Sequence, residues 1–79
     1  MTKNILMPKL GLTMTEGEIV EWKVAAGDRV QVGDVLFVIE TDKSSNDVEA
    51  LDAGVIEALL ANEGDTIEVG AVVATLVED

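Results

Sequence analysis

Shifting the 79-residue chain by 37 positions lays Gly17–Asp42 over Gly54–Asp79. Identities fall at Gly17/Gly54, Ile19/Ile56, Gly27/Gly64, Asp28/Asp65, Val32/Val69, Gly33/Gly70, Val35/Val72 and Asp42/Asp79. Three matched pairs are glycines, read here as turn residues, and one is the Asp after a turn. What repeats is therefore a backbone path rather than a surface. Two copies cannot stack onward as a solenoid does; they must bury each other. The repeat predicts a pseudo-two-fold β structure whose halves pack face to face or close into a barrel.

The segments between the glycines fit that expectation. They are short runs of Val, Ile, Leu and Thr bounded by Gly-Asp turns, the pattern of many brief strands. After Gly17, Ile19-Glu21-Lys23 and Val20-Trp22-Val24 separate partly onto two faces, and Val35–Ile39 reads as a strand buried on both sides. Val55–Ala61 is ambiguous alone, because its apolar residues at i and i+4 suit two turns of helix. The repeat assigns it to strand, as the copy of Glu18–Val24. Trp22 and Phe37, the only aromatic residues, are expected in the core or packed on a sheet. Met7-Pro8 should end the first strand, since Pro cannot donate to a ladder.

Composition removes whole classes of function. With no Cys and no His, the chain has no disulfide frame, thiol nucleophile, Cys/His zinc site or His general base. The 48% hydrophobic content is too high for a disordered acidic tail. A net charge of −11 argues against nucleic acid and anionic membranes, and no apolar run is long enough to span a bilayer. No calcium-loop order is found among the acids. The chain reads as a single domain, 1–79, whose partners are proteins. It ends at Val77-Glu78-Asp79 without an Ala/Pro-rich linker, which reads as an excised domain or a separately encoded one.

One cation stands apart. The basic residues are Lys3, Lys9, Lys23, Arg29 and Lys43, with nothing basic afterwards. Lys43 lies among Glu40, Asp42, Asp47, Glu49 and Asp52. It falls in the polar stretch Thr41-Asp42-Lys43-Ser44-Ser45, between strand patterns 35–40 and 46–50, and so at the tip of a hairpin. Two readings are open: a solvated ion pair worth roughly 0–1 kcal/mol, or a lysine held out as a chemical handle. Nearby carboxylates favour its ammonium form and make it a poor nucleophile. A lysine acylated by another enzyme needs only exposure and a defined tip.

Glu40-Thr41-Asp42-Lys43, preceded by Val30-Gln31-Val32-Gly33-Asp34-Val35-Leu36, resembles the lipoyl domains of 2-oxo acid dehydrogenase complexes. Met7-Pro8-Lys9-Leu10-Gly11-Leu12-Thr13-Met14-Thr15-Glu16-Gly17 resembles the opening strand and loop of the acyltransferase (E2) members, in particular bacterial pyruvate- or acetoin-type chains. Gly54-Val55-Ile56 and Glu63-Gly64-Asp65 are similar to the second half. The resemblance implies an all-β flattened barrel or sandwich of two four-stranded sheets with pseudo-two-fold symmetry. It further implies lipoic acid in amide linkage to Lys43, with Asp42 and Ser44 beside it. The loop carrying Gly11, Leu12 and Thr13 is implied to help partner enzymes choose their carrier. Ser44 replaces a common Ala, and Leu51 stands where many members have Pro.

On the same resemblance the domain is a non-catalytic carrier. Its lipoylated lysine would act as a swinging arm, passing acyl groups and reducing equivalents between a thiamine-diphosphate E1, the E2 acyltransferase core and an E3 dihydrolipoamide dehydrogenase. A lipoate-attaching ligase or transferase would load it. The implied location is the cytoplasm of a bacterium, or the mitochondrial matrix of a eukaryote. Biotin carboxyl carrier domains share the fold, but their lysine typically sits between two Met residues, where this chain has Asp42 and Ser44. An unmodified small interaction barrel, with Lys43 merely paired in a turn, is the reading from a different class.

Overall fold

The computed structural model describes residues 2–11, 14–41 and 44–78. Among them are eight strands and no helix: β1 (Thr2–Leu6), β2 (Glu16–Trp22), β3 (Arg29–Val30), β4 (Val35–Glu40), β5 (Ser45–Glu49), β6 (Gly54–Leu59), β7 (Thr66–Glu68) and β8 (Val72–Glu78). They form two four-stranded sheets, in the orders β1-β8-β6-β3 and β5-β4-β2-β7, with every pairing antiparallel. This is the two-sheet, pseudo-two-fold architecture expected from the sequence, and Val55–Ala61 is strand through Leu59.

The symmetry extends to register. Ile19 pairs with Ile39 and Glu21 with Val38, so Val20 is bulged out of the β2–β4 ladder. Ile56 pairs with Leu76 and Ala58 with Thr75, so Glu57 is bulged at the equivalent place in β6–β8. A bulge inserts one residue and reverses the phase of the side chains beyond it. Hence Gly17 and Ile19 face inward, Val20 is turned out, and Trp22 and Val24 pack back against the core.

Each half lends a short strand to the other half's sheet. β3 follows β2 in sequence but pairs with β6, and β7 follows β6 but pairs with β2. The adjoining turns repeat the exchange: the Gly27 N–H donates to the Ile56 carbonyl at 2.7 Å, and the Gly64 N–H to Ile19 at 2.6 Å. Gly27, Gly33, Gly64 and Gly70 have φ of 95°, 96°, 93° and 90°, a region in which a Cβ is strained. The Gly17/Gly54 pair differs from the turn reading. Both residues are buried within strands, where backbone and side chains of the neighbouring elements approach closely.

The core lies between the sheets, with Met7, Ile19, Leu36, Phe37, Ile39, Ile56 and Val73 essentially inaccessible. Each such side chain contributes roughly 1.5–3 kcal/mol on burial. No polar or charged side chain is buried among the described residues. Val35–Ile39 is not covered on both faces as the apolar run suggested: Val35 and Val38 are half-exposed. Leu36 and Phe37 are both buried because the β4–β5 register slips between Val35 and Phe37. Trp22 lies at the edge of the core, its ring centroid 4.8 Å from that of Phe37, and its indole N–H donates to the Ala61 carbonyl at 3.0 Å.

Candidate functional site

β4 and β5 form a hairpin whose last ladder pair is Glu40–Ser45. Beyond it the Thr41 N–H donates to the Ser44 carbonyl at 2.9 Å, and the Thr41 hydroxyl donates to the same oxygen at 3.3 Å. The Asn46 side-chain amide donates to Ser44 Oγ at 3.1 Å. Three hydrogen bonds therefore fix the two ends of the turn, which small polar residues allow because they bond locally to the backbone. Asp42 and Lys43, the two residues joining Thr41 to Ser44 in sequence, lie outside the described residues, as do Leu12 and Thr13. Ser44 is exposed and Thr41 half-exposed.

The symmetry breaks beside this hairpin. Between β1 and β2 run nine residues, 7–15, whereas the equivalent connection between β5 and β6 has four, 50–53. The longer loop comes back against the hairpin: Leu10, Gly11, Met14 and Thr15 line one open groove together with Thr41, Ser44 and Asn46. The resemblance placed Gly11 in the loop implied to help partners choose their carrier, and the structure brings Gly11 and Ser44 to the same groove. Sequence reasoning had no use for Met14, which anchors the loop. The Met14 sulfur accepts the Leu10 N–H at 3.2 Å, and its methyl group lies over Gly17, 3.1 Å from where a Cβ would stand. A larger residue at 17 would lift the loop. The signal was present as a buried glycine opposite a methionine, but it is visible only once the loop is folded.

Acidic side chains crowd the same end of the sheet. Glu18 is directly opposite Glu40, and Glu16 directly opposite Glu68. All four are exposed on one outer face. Like charges directly opposite in a ladder cost stability, about 0.2–1 kcal/mol per pair. Among the described residues no group of acids is disposed to hold a metal ion, and no helix is long and apolar enough to cross a membrane. An exposed, hydrogen-bonded hairpin with a groove alongside has room for a long covalent arm and offers a partner a definite surface to check.

Comparison with known proteins agrees with this geometry. Residues 3–76 match the biotin/lipoyl family model, described as biotin-requiring enzyme. The dihydrolipoyllysine-residue acetyltransferase component of the pyruvate dehydrogenase complex of Zymomonas mobilis is 46% identical over 99% of this chain and 18% of its own length. The corresponding component of the acetoin cleaving system of Pseudomonas putida is 43% identical over 95% of this chain and 20% of its own. Among solved structures, the lipoyl domain of the 2-oxoglutarate dehydrogenase complex of Azotobacter vinelandii superposes with a TM-score of 0.77 at 32% identity, covering 95% of both chains. The urea carboxylase of Kluyveromyces lactis gives 0.80 at 27% identity, covering 98% of this chain and 6% of that one.

The chain belongs to the biotin/lipoyl attachment family. Within it, this is a lipoyl domain of the kind found in E2 acyltransferase components, a small carrier rather than a catalyst. It spans about a fifth of the length of the curated relatives it matches.

Proposed function

We propose that the ε-amine of Lys43 takes a lipoyl group in amide linkage, and that this domain carries the group between the enzymes of a 2-oxo acid or acetoin dehydrogenase complex. The observation that supports this best is the hairpin closed by the Thr41–Ser44 hydrogen bonds, with the long 7–15 loop against it, in a chain whose relatives are named for a dihydrolipoyllysine residue. When bound, the group supplies a strained, reducible cyclic disulfide on a long arm. The chain's own contribution is presentation: Thr41, Ser44 and Asn46 hold the ends of the turn, and the groove residues give each partner a surface to read.

Attachment condenses the amine with the lipoate carboxyl. One amide forms, one water equivalent is lost, and one further positive charge disappears from a chain already at −11. The resulting carrier suits thiamine-diphosphate, acyltransferase and flavin-dependent partners whose entrances are basic, with fast encounter and fast release at cellular salt. Biotin is the second reading, favoured by the breadth of the family and the likeness to a carboxylase.

Intact mass and peptide mapping decide between them. The chain and its Lys43→Arg variant are expressed with lipoate and a lipoate ligase, and in parallel with biotin and a biotin ligase. A lipoyl adduct on Lys43, lost in the variant, is the expected result. A biotinyl adduct alone would assign the domain to the carboxylase carriers. No adduct, where a control lipoyl domain is modified, would leave an interaction barrel.

A further inference from the structure

A second depression adjoins the hairpin groove at Leu10 and is apolar. β1 and β5 are the end strands of their sheets, so each has one edge unpaired, and the cleft of about 530 Å³ runs between these two edges. Its floor includes the buried Leu36, Leu76 and Val48. At its rim Leu6 and Leu10 are 46% exposed and Leu51 is 86% exposed, an unusual concentration of bare leucine for so small and acidic a chain.

β5 sets the pattern that an occupant must match. Val48 is buried and Asn46 half-buried on its inner side, while Ser45, Asp47 and Glu49 are exposed on its outer side. The carboxylates of Asp47 and Glu49 make no ion pair or hydrogen bond among the described residues. Among the described residues Lys3 is the one cation that lines the cleft, and it is already shared between Asp52 at 3.5 Å and Glu78 at 3.8 Å. A strand added to an edge continues the alternation of its neighbour. Its inward residues would meet Val48, Leu6 and Leu51, and its outward residues would stand beside Asp47 and Glu49.

We infer that the β5 edge is a docking site for an extended protein segment with alternating basic and apolar residues, taken up by strand addition with its apolar side chains in the β1–β5 cleft. Charge complementarity selects this occupant. A second copy of the chain is disfavoured, because two bodies of net charge −11 repel at contact and each would bring more carboxylates to the rim. The site is the free edge of the hairpin's second strand, away from the turn, and does not depend on which group Lys43 carries.

The test is a titration of the ¹⁵N-labelled chain with a capped Lys-Val-Lys-Leu-Lys peptide, followed by amide chemical shifts. A Glu-Val-Glu-Leu-Glu peptide controls for charge, and Lys-Lys-Lys-Val-Leu, of the same composition, controls for alternation. The expected result is saturable shifts along Ser45–Glu49 and at Ile5 and Leu6 with the alternating basic peptide. Binding should weaken at least tenfold for either control, for Asp47→Ala with Glu49→Ala, and for Leu51→Ser. All three substituted side chains are exposed, so the variants keep the parent spectrum elsewhere. The inference is overturned by no saturable shift at millimolar peptide, or by equal response to a control peptide. Shifts confined to the hairpin groove, or spectra of the free chain that change on dilution through self-association, would overturn it as well.

Discussion

The carbonyl oxygen of Val77 occupies the position that a Cβ on Gly54 would need. Gly17, its counterpart in the repeat, has as its nearest neighbours the flexible ends of Met14, Ile39 and Met7. Identical residues at equivalent positions are thus held by different constraints, backbone in one half and movable side chains in the other. Gly54→Ala is expected to cost about 3 kcal/mol, and Gly17→Ala about 1 kcal/mol, by overpacking. Urea unfolding checks this, with a shift in midpoint at unchanged slope for both. Equal losses would remove the distinction.

Three turns are tied by an aspartate that accepts a backbone N–H: Ala25 to Asp28 at 2.8 Å, Gln31 to Asp34 at 2.9 Å and Asn62 to Asp65 at 2.9 Å. The fourth, the copy of Gln31–Asp34, has the backbone bond from Ala71 to Glu68 at 3.1 Å but no side chain to add. Asp28→Ala and Asp65→Ala should each destabilise by about 1 kcal/mol. Ala71→Asn, which supplies a neutral acceptor beside Glu68, should stabilise by about 0.5 kcal/mol. Thermal unfolding of the three variants reads all of this, and a loss of stability in Ala71→Asn would contradict it.

The indole N–H of Trp22 satisfies the carbonyl of the buried Ala61, and the Trp22 backbone N–H donates to Glu63 Oε2 at 2.8 Å. Trp22→Phe removes the first bond and leaves that carbonyl without its partner, at an expected cost of about 2 kcal/mol. Because Trp22 is the only tryptophan, unfolding of the variant is followed by circular dichroism, and that of the parent by fluorescence as well.

Carboxylates face each other at Glu18–Glu40 and Glu16–Glu68 in a chain of net charge −11. Raising ionic strength from about 0.01 M to about 1 M, which shortens the Debye length from about 30 Å to about 3 Å, should therefore raise the melting temperature. Glu68→Lys should stabilise by about 0.5 kcal/mol at low salt and lose most of that gain at high salt. A salt-independent melting temperature would show that the acidic face carries no such strain.

What the sequence determined by itself was the path. The 37-residue repeat, with Gly27, Gly33, Gly64 and Gly70 at matching places, dictates where the backbone turns, because only glycine adopts those angles cheaply. The polar stretch 41–45 between two strand patterns located the hairpin, and the motif around Lys43 brought the family. Tertiary structure decided what pairing alone can decide. The bulges at Val20 and Glu57 reverse the phase of β2 and β6, so that Ile56, Leu59 and Ala61 all pack inward. A spacing of three followed by two imitates a helix in sequence and is a bulged strand in fact. The exchange of β3 and β7 between halves and the facing of Glu18 by Glu40 join residues far apart in the chain. No local pattern encodes such contacts, because each exists only when the partner strand fixes the register.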